Sequence, residues 1–489
     1  MNVKKEHSLL SRMAYGAADI YGGGAFVVIS TFYTVFLTKA QSMPAAMAGT
    51  IPLIGKIWDA VTDPMMGNIC DRTKSKYGAK RFYIMAGSLL SALTFILMWI
   101  SAPMQSMGAK YTFYVLMYML FSTGFTIVMV PYNGLLPDMI DDYTERSRYS
   151  AVRMVFSTLG AILAGLIPTV LIKDNTNPKP YLIVAIIFGV IFTVSILTTF
   201  FGTWEKQKEP VSVPLKDSFV QSFTVYKSRS FQMFIAIFLL GQGAADFVTG
   251  LAVYYVDDVL NAYGGGNFTI LMGVLLVAQF AGTIIFGQIM QRTSKTFPIL
   301  AGFPIRIAAT LAMLAFSHEG ANFTIILILS FIVGLGMAAS STSIYAILSD
   351  MADVDEPITS ISRPGTCSGM ATFIRKIATG LSSAVIGLML GMIGYDEIAA
   401  SSGLRQAASV QSGIAYIYIF VPVILMALTI LVALKFPMKQ REFEIIRKEI
   451  ARRKGEDSSL VSDEEKKVCE TVTGFAYENL WNKENALKL

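Results

Sequence analysis

The 489-residue chain is poor in charged residues, in histidine and in cysteine. Charged residues make up 15% of it, whereas an ordinary soluble domain carries about 25%. Two histidines are too few to suggest a histidine-based metal site or catalytic triad, and three cysteines cannot build a disulfide framework. The sequence contains neither a zinc-ligand spacing nor a phosphate-binding loop. These absences disfavour a soluble enzyme, a nucleic-acid binder and an ATP-driven pump, and we expect no cofactor and no nucleic-acid partner.

Apolar residues are abundant instead. The chain is 54% hydrophobic with a mean hydropathy of +0.55, and a soluble protein of this composition would expose large apolar patches to water. A membrane-spanning helix needs about 20 mostly apolar residues. The sequence therefore predicts an all-α integral membrane protein with twelve transmembrane helices. The candidate spans are roughly 14–38, 46–69, 82–102, 111–136, 150–172, 181–203, 231–259, 268–290, 298–317, 323–348, 367–394 and 413–436.

Lysine and arginine predict the orientation of these spans, because cytoplasmic loops carry most of the positive charge. With the amino terminus inside, 30 of the 40 Lys and Arg residues fall in inside segments and 5 fall in outside loops. Residues 1–13 are polar and lack the apolar core of a signal peptide. We therefore expect both termini in the cytoplasm, and this plain inner-membrane plan suggests the cytoplasmic membrane of a bacterium.

Two short motifs recur in register, about 212–220 residues apart. They are Gly67-Asn-Ile-Cys-Asp-Arg with Gly287-Gln-Ile-Met-Gln-Arg, after the second and eighth spans, and Leu136-Pro-Asp-Met with Leu348-Ser-Asp-Met, after the fourth and tenth. The repetition predicts two pseudo-symmetric six-helix halves, 1–203 and 231–436, with a cytoplasmic linker, 204–230, and a cytoplasmic tail, 437–489. Parallel six-span halves are typical of secondary transporters, whose substrate site lies between them near the midplane.

The second span carries the densest group of charges within the membrane, Lys56-Ile-Trp-Asp59-Ala-Val-Thr-Asp63-Pro64. Asp59 and Asp63 are four residues apart, so both carboxylates lie on one helical face and repel unless a cation or proton sits between them. Pro64 lacks an N–H, which frees a carbonyl oxygen one turn earlier. Such hard oxygen ligands suit Na⁺ or a proton, and we expect no other metal. Alternatively, one carboxylate pairs with a buried Arg or Lys.

Other charges fall inside predicted spans, where each costs about 2.5–3.5 kcal/mol and is a functional candidate. Arg153 in the fifth span is a candidate substrate contact or a gate charge at the cytoplasmic end. Arg375 and Lys376 are adjacent and point about 100° apart, so only one can face the pathway squarely. Asp19 and Asp246 are isolated acids, for which substrate contact and structural pairing are both open.

The loop after the second span combines tight-turn glycines with charges. It is placed to pair with the charged ends of the fourth and tenth spans, which would latch the cytoplasmic side shut. Positive-inside anchoring is the alternative explanation. The latch candidates are Asp71, Arg72, Arg81, Asp138, Asp141, Arg146, Asp350, Asp353 and Arg363.

Several of these motifs resemble those of the glycoside–pentoside–hexuronide:cation symporters, a branch of the major facilitator superfamily. The resemblance covers roughly residues 12–440. It is carried by Tyr15-Gly16, Trp58-Asp59-Ala60 through Asp63-Pro64, Asp71-Arg72 through Gly78, Val130-Pro131-Tyr132 through Leu136-Pro137, Glu145-Arg146, and Gly391-Met392-Ile393-Gly394-Tyr395. It implies the major facilitator fold and a porter that couples a sugar to Na⁺ or H⁺ by alternating access. The residues it implies are Asp59, Asp63 and Thr126 for the cation, and Arg153, Lys376 and Thr372 for the sugar.

At four positions of the cation and sugar sites, the chain differs from melibiose permease, a member of that family. The cation-site asparagine is Thr62 here, the stacking tryptophan is Asn133, and the two sugar-binding aspartates are Gly23 and Met129. We keep Thr62 as a cation candidate, and Asn133 and Asp19 as substrate candidates. Without those two acids the remaining cations favour a hexuronide or another acidic sugar over a neutral glycoside, unless Asp19 or Asp246 neutralises them.

The leading hypothesis is therefore a cation-coupled sugar symporter, which we expect to be a monomer in contact with membrane lipid. A sugar sensor or regulator on the same scaffold is the alternative, but it would not need the paired carboxylates of the second span. A membrane-embedded enzyme has no supporting motif. In the tail, residues 439–454 predict a helix whose apolar stripe, Phe443, Ile446 and Ile450, either lies on the inner leaflet or packs on the cytoplasmic loops.

Overall fold

A computed structural model describes residues 8–140, 143–205, 221–262, 266–361 and 363–486, and within these ranges it is helical with no β strand. The prediction of an all-α protein is confirmed. The helices of the first half are α1 Leu9–Ala17, α2 Asp19–Val28, α3 Ala45–Arg72, α4 Ala79–Leu97, α5 Met107–Met139, α6 Tyr143–Leu171 and α7 Pro178–Gly202. Two π-helical turns, Ile29–Tyr33 and Phe36–Ala40, continue α2.

The second half begins with α8 Arg229–Tyr254, which ends in a third π-helical turn, Tyr255–Val259. The remaining helices are α9 Asn267–Arg292, α10 Phe297–Ala312, α11 Phe323–Thr359, α12 Pro364–Met392, α13 Glu397–Ser401 and α14 Ala408–Leu434, followed in the tail by α15 Gln440–Lys454 and α16 Asp463–Thr473. Short 3₁₀ turns lie at Phe223–Lys227, Met313–Phe316, Tyr477–Asn479 and Lys483–Ala486.

Ten helices in the described ranges are long and apolar enough to cross a membrane, and they correspond to the third to twelfth predicted spans. The first predicted span is divided among α1, α2 and the π turns. The second, α3, is 28 residues long but carries the charged motif of Lys56, Asp59 and Asp63. The number twelve therefore stays a prediction.

The tenth span is longer than its hydropathy predicts. Helix α11 has 37 residues and runs to Thr359, eleven residues past the predicted end. It ends where Ser360 adopts the left-handed conformation (φ 58°) and donates its N–H to the carbonyl of Glu356. Hydropathy detects only the apolar part of a helix, whereas this polar extension is stabilised by contacts with the tail.

The described residues fall into two compact units. The first unit holds those within Met1–Val213, Thr249–Gly273 and Thr379–Ala415. The second unit holds those within Pro214–Val248, Val274–Ala378 and Tyr416–Leu489. The predicted boundaries of the halves, the linker and the tail remain predictions.

In the first unit, small residues let α3 and α12 approach closely. A Cβ added to Gly387 would lie 2.2 Å from the carbonyl oxygen of Ala45, and one added to Gly49 would lie 2.5 Å from that of Ser383. A Cβ on Gly380 would lie 2.8 Å from the Cα of Leu53. These glycines serve helix packing, because any side chain at these positions would hold the two backbones apart.

In the second unit, the tail packs against the protein. Ile446 and Ile450 of α15 are buried in an apolar cluster that also contains residues of α8 and α11. The N–H of Trp481 donates to the carbonyl of Pro357, and Lys454 lies 2.9 Å from a carboxylate oxygen of Glu356. The sequence allowed the apolar stripe of the tail either to lie on the membrane or to pack on the protein. Its two isoleucines, Ile446 and Ile450, pack on the protein.

Candidate functional site

The charged motif of α3 contains a buried ion pair. The Lys56 ammonium lies 3.1 Å from Oδ2 of Asp59, and the two side chains are 3% and 1% exposed. The Lys56 nitrogen also lies 3.5 Å from the ring centre of Phe26, so its charge is balanced by a carboxylate and an aromatic face. The spacing of three residues between Lys56 and Asp59 is that of a helical pair and is the signal in the sequence that points to this contact.

The second carboxylate of the motif contacts the threonine that the resemblance implied. Thr126 of α5 is buried and donates its hydroxyl hydrogen to Oδ1 of Asp63 over 2.7 Å. The other oxygen of the Lys56-bound carboxylate, Oδ1 of Asp59, is buried and accepts no hydrogen bond from any described residue. A buried carboxylate oxygen of this kind can accept a hydrogen bond from one further donor or bind a cation.

The rest of the motif satisfies its polar groups locally. Thr62 donates its hydroxyl to the carbonyl of Trp58 over 3.1 Å, and the Trp58 indole N–H donates to Thr123 over 2.9 Å. Helix α3 continues through Pro64. The cluster of Lys56, Asp59, Asp63 and Thr126, which we call the α3 cluster, combines two negative formal charges with one positive charge.

The α3 cluster has the chemistry of a site for a monovalent cation. Its ligands are hard oxygens, which suit alkali cations and protons. Its two carboxylates carry the negative charge that such an ion would neutralise. Among the described residues, no group of three or more His, Cys, Asp and Glu side chains is arranged to hold a metal ion.

Three substrate candidates meet in the first unit. One guanidinium nitrogen of Arg153 lies 3.2 Å from Oδ1 of Asp19 and 2.7 Å from Oδ1 of Asn133, to which it donates. The guanidinium also lies 4.8 Å from the ring centre of Tyr132. Asp19 is buried and Asn133 is exposed. Arg153 therefore links a buried carboxylate to an accessible side chain.

In the second unit, Arg375 pairs with Asp246. Its two terminal nitrogens donate to the two carboxylate oxygens over 2.6 and 2.7 Å. Lys376 is half-buried at the next position of α12, and Thr372 donates to the carbonyl of Ser368 on its own helix. The sequence left two roles open for Asp246, an ion pair within the protein and a contact with the substrate. The structure shows the ion pair.

Two acids of the predicted latch make equivalent ion pairs. Asp138, at the end of α5, binds Lys80, and Asp350, in the equivalent motif of α11, lies 2.5 Å from Lys295. The recurring motif identified both acids, but the lysines were missed. The one feature of the sequence that points to Lys80 and Lys295 is that each follows a copy of the repeated Gly-to-Arg motif, although at different distances from it.

The other latch candidates do not form one network in the described residues. Arg81 donates to the carbonyls of Tyr77 and Phe200, and Arg363 makes a bidentate pair with Asp355, with both distances 2.8 Å. Asp353 is half-buried on α11. Asp141 and the side chains of Asp71, Arg72 and Arg146 lie outside the described part of the chain.

The family is shown by the match of residues 14–440 to the model described as MFS/sugar transport protein. The chain belongs to this family. It is thus an integral membrane protein that transports a sugar or a sugar derivative, and it is not an enzyme. The resemblance to the glycoside–pentoside–hexuronide symporters is confirmed.

Similar proteins cover nearly the whole chain. A putative sulfoquinovose importer of Salmonella typhimurium is 28% identical, over 95% of this chain and 97% of the relative. The isoprimeverose transporter of Lactiplantibacillus pentosus is 24% identical over 93% of each. A solved bacterial homologue of the human lysosomal transporter Spinster, inward-facing and unoccupied, shares the fold with a TM-score of 0.63 and 14% identity, over 91% of this chain and 98% of that one.

Proposed function

We propose that the protein is a symporter that couples the uptake of a sugar or sugar derivative to a monovalent cation, Na⁺ or H⁺, bound at the α3 cluster. The observation that carries this proposal is the pairing of two carboxylates one turn apart, one held by Lys56 and the other by Thr126. A lone structural ion pair would need only one acid. The second acid adds a carboxylate within the membrane, whose oxygens and negative charge suit a coupling cation.

The substrate side of the proposal rests on Arg153, Asn133 and Lys376. In a membrane transporter, charged side chains within the spans, such as Arg153 and Lys376, are expected to line the substrate pathway. The expectation of an acidic sugar depended on Arg153 and Lys376, and Asp19 balances the first of these two cations. Asp246 pairs with the neighbouring Arg375. The charge count therefore favours an acidic sugar less strongly than the sequence alone does. The two relatives are named for different sugars, sulfoquinovose and isoprimeverose, and so do not decide the substrate.

The orientation belongs to the same proposal. The bias of Lys and Arg places both termini in the cytoplasm of a bacterial cell, and the Lys39 end of the first span outside. The coupling cation and the sugar would enter from that side and leave at the side that carries Lys80 and Lys295.

The test uses full-length protein in proteoliposomes and a panel of labelled glycosides, pentosides and hexuronides. For the compound that the wild type accumulates, we expect Asp59→Asn and Asp63→Asn each to abolish uphill accumulation while exchange of labelled for unlabelled sugar survives. Exchange needs the sugar contacts but no cation gradient. Asp174→Asn removes an exposed loop acid and serves as the matched control. Cation-driven accumulation by either site variant would contradict the proposal.

A further inference from the structure

Arg306 of α10 is a buried cation for which the described residues supply no carboxylate. Its side chain is fully buried, with 0% exposed. Its Nη2 donates to the carbonyl of Ala244 over 3.3 Å, while Nε and Nη1 have no acceptor in the described part of the chain. The ring centre of Phe303, one turn earlier on α10, lies 5.9 Å away. Neither neighbour carries a negative charge.

Four other cations at or within the predicted spans each contact a carboxylate. The contacts join Lys39 to Asp258 over 2.8 Å, Lys56 to Asp59 over 3.1 Å, Arg153 to Asp19 over 3.2 Å and Arg375 to Asp246 over 2.6 Å. A charge taken out of water is costly unless an opposite charge lies beside it. Arg306 is withdrawn from water to the same degree, so the same requirement applies to it.

Loss of a proton does not meet this requirement. A buried lysine can become neutral, whereas a guanidinium stays protonated in proteins. Among the described titratable side chains, the one that interacts electrostatically with Arg306 is Tyr418 of α14, and a phenol is neutral near pH 7. Water accepts hydrogen bonds from Nε and Nη1 but cannot balance a whole charge. A small anion does both.

The packing of α10 on α11 fixes the position of the guanidinium. A Cβ added to Gly336 of α11 would lie 2.5 Å from Cβ of Arg306 and 2.8 Å from its Cδ, so the absence of a side chain there lets the arginine stem cross α11. The guanidinium then reaches the carbonyl of Ala244 on α8. All three residues belong to the second unit. The charge is therefore held by helix packing within one unit.

Two serines on α11 supply further hydrogen-bond donors. Ser340 follows the glycine that the arginine crosses by one turn, and Ser343 lies on the same face of the helix. Both side chains are buried, and neither hydroxyl has a hydrogen-bond partner among the described residues. Oγ of Ser340 faces α8, since a Cβ added to Gly241 would lie 2.8 Å from it. Because Gly241 is about one turn before Ala244, Ser340 and Arg306 face the same stretch of α8.

We propose that Arg306 binds a small monovalent anion, chloride, inside the second unit, with Nε and Nη1 of the guanidinium and the hydroxyl of Ser340 as its donors. The anion is small because Arg306 has no exposed surface that a sugar could contact. It is monovalent because a divalent anion would leave an excess negative charge in the buried site. The weakly hydrated guanidinium favours chloride and bromide, which lose their water more readily than fluoride does.

The experiment uses purified full-length protein in detergent and follows thermal unfolding in sodium chloride, sodium bromide and sodium gluconate at equal concentrations. Sodium is constant, so a coupling cation at the α3 cluster cannot cause a difference between the salts. A ligand that binds the folded state raises its stability. We therefore expect the melting temperature to be higher in chloride and bromide than in gluconate, and to rise with halide concentration. Radioactive chloride should bind saturably to the same protein.

Two variants and a control test the site. Arg306→Met replaces the cation by an apolar chain that needs no counter-charge, so its melting temperature should be the same in all three salts, and it should bind no chloride. Ser340→Ala removes one donor and should weaken chloride binding by about tenfold. Arg405→Met, which changes an exposed loop arginine, should behave like the wild type.

Equal melting temperatures of the wild type in halide and in gluconate would overturn the proposal, and so would the absence of bound chloride. Chloride binding that survives in a folded Arg306→Met protein would place the ion elsewhere. Displacement of chloride by a glucuronide would show that the site takes the sugar and not an inorganic anion. If Arg306→Met does not fold, the wild type and Ser340→Ala decide the question, because an unchanged chloride affinity in Ser340→Ala would contradict the assigned donors.

Discussion

Lys56 donates a hydrogen bond to Asp59 three residues later on the same helix, over 3.1 Å, and both side chains are buried. This pair is the second possibility that the sequence left open for the carboxylates of α3, and the structure shows it for Asp59. Asp63 accepts a hydrogen bond from Thr126. The Lys56 ammonium is therefore a fixed positive charge within the motif, beside one of the two carboxylates proposed for the cation.

The charge of Lys56 should set the affinity of the α3 cluster for its coupling cation. Lys56→Met removes the positive charge beside Asp59. We therefore expect the purified variant to bind the cation about tenfold or more tightly, since a charge about 4 Å away contributes several kcal/mol in a partly polar interior. Lys56→Arg keeps the charge and is the control. Unchanged or weaker binding by a folded Lys56→Met protein, measured by cation titration, would contradict this role.

The pair of Arg375 and Asp246 should stabilise the second unit. Asp246→Asn takes away the carboxylate that both terminal nitrogens of Arg375 contact, and losing charge-assisted hydrogen bonds of this partly buried pair costs about 2 kcal/mol. The melting temperature in detergent should fall, and the double variant with Arg375→Gln should recover part of the loss. Additive losses in the double variant would show that the two side chains are not coupled.

The predicted orientation can be checked with two exposed positions. A cysteine at Lys173 should react with a membrane-impermeant thiol reagent added to intact cells, because the bias of positive charge places that loop outside. A cysteine at Glu456, just after α15, should react only after the cells are opened. The reverse labelling pattern would invert the topology, and labelling of both sites in intact cells would exclude this arrangement.

Substrate charge can be tested by pairing a glucuronide with the matching neutral glucoside in one uptake assay. If the sugar is acidic, its carboxylate binds the cations by charge-assisted hydrogen bonds, and Lys376→Ala should reduce glucuronide uptake far more than any glucoside uptake. Lys376→Arg keeps the positive charge and is the control. Strong glucoside uptake with neither uptake of nor inhibition by the glucuronide would rule out the acidic sugar.

The sequence by itself determined the features that depend on neighbours along the chain. Apolar runs predicted the spans, because a membrane helix must bury its own backbone polar groups. A spacing of four residues placed Asp59 and Asp63 on one face, and the repeated motifs identified Asp138 and Asp350 as equivalent positions. Hydropathy placed the end of α11 too early, since the helix continues into polar residues that the tail stabilises.

Tertiary structure decided which charges meet. Lys39 and Asp258 are 219 residues apart, and neither has a motif that indicates the other. Likewise, helical geometry allowed either Arg375 or Lys376 to face inward, and only the packing of α12 against α8 gives Arg375 its partner Asp246. The physical reason is the same in both cases. A charge withdrawn from water needs a counter-charge within a few ångströms, and the fold, rather than the local sequence, brings that counter-charge near.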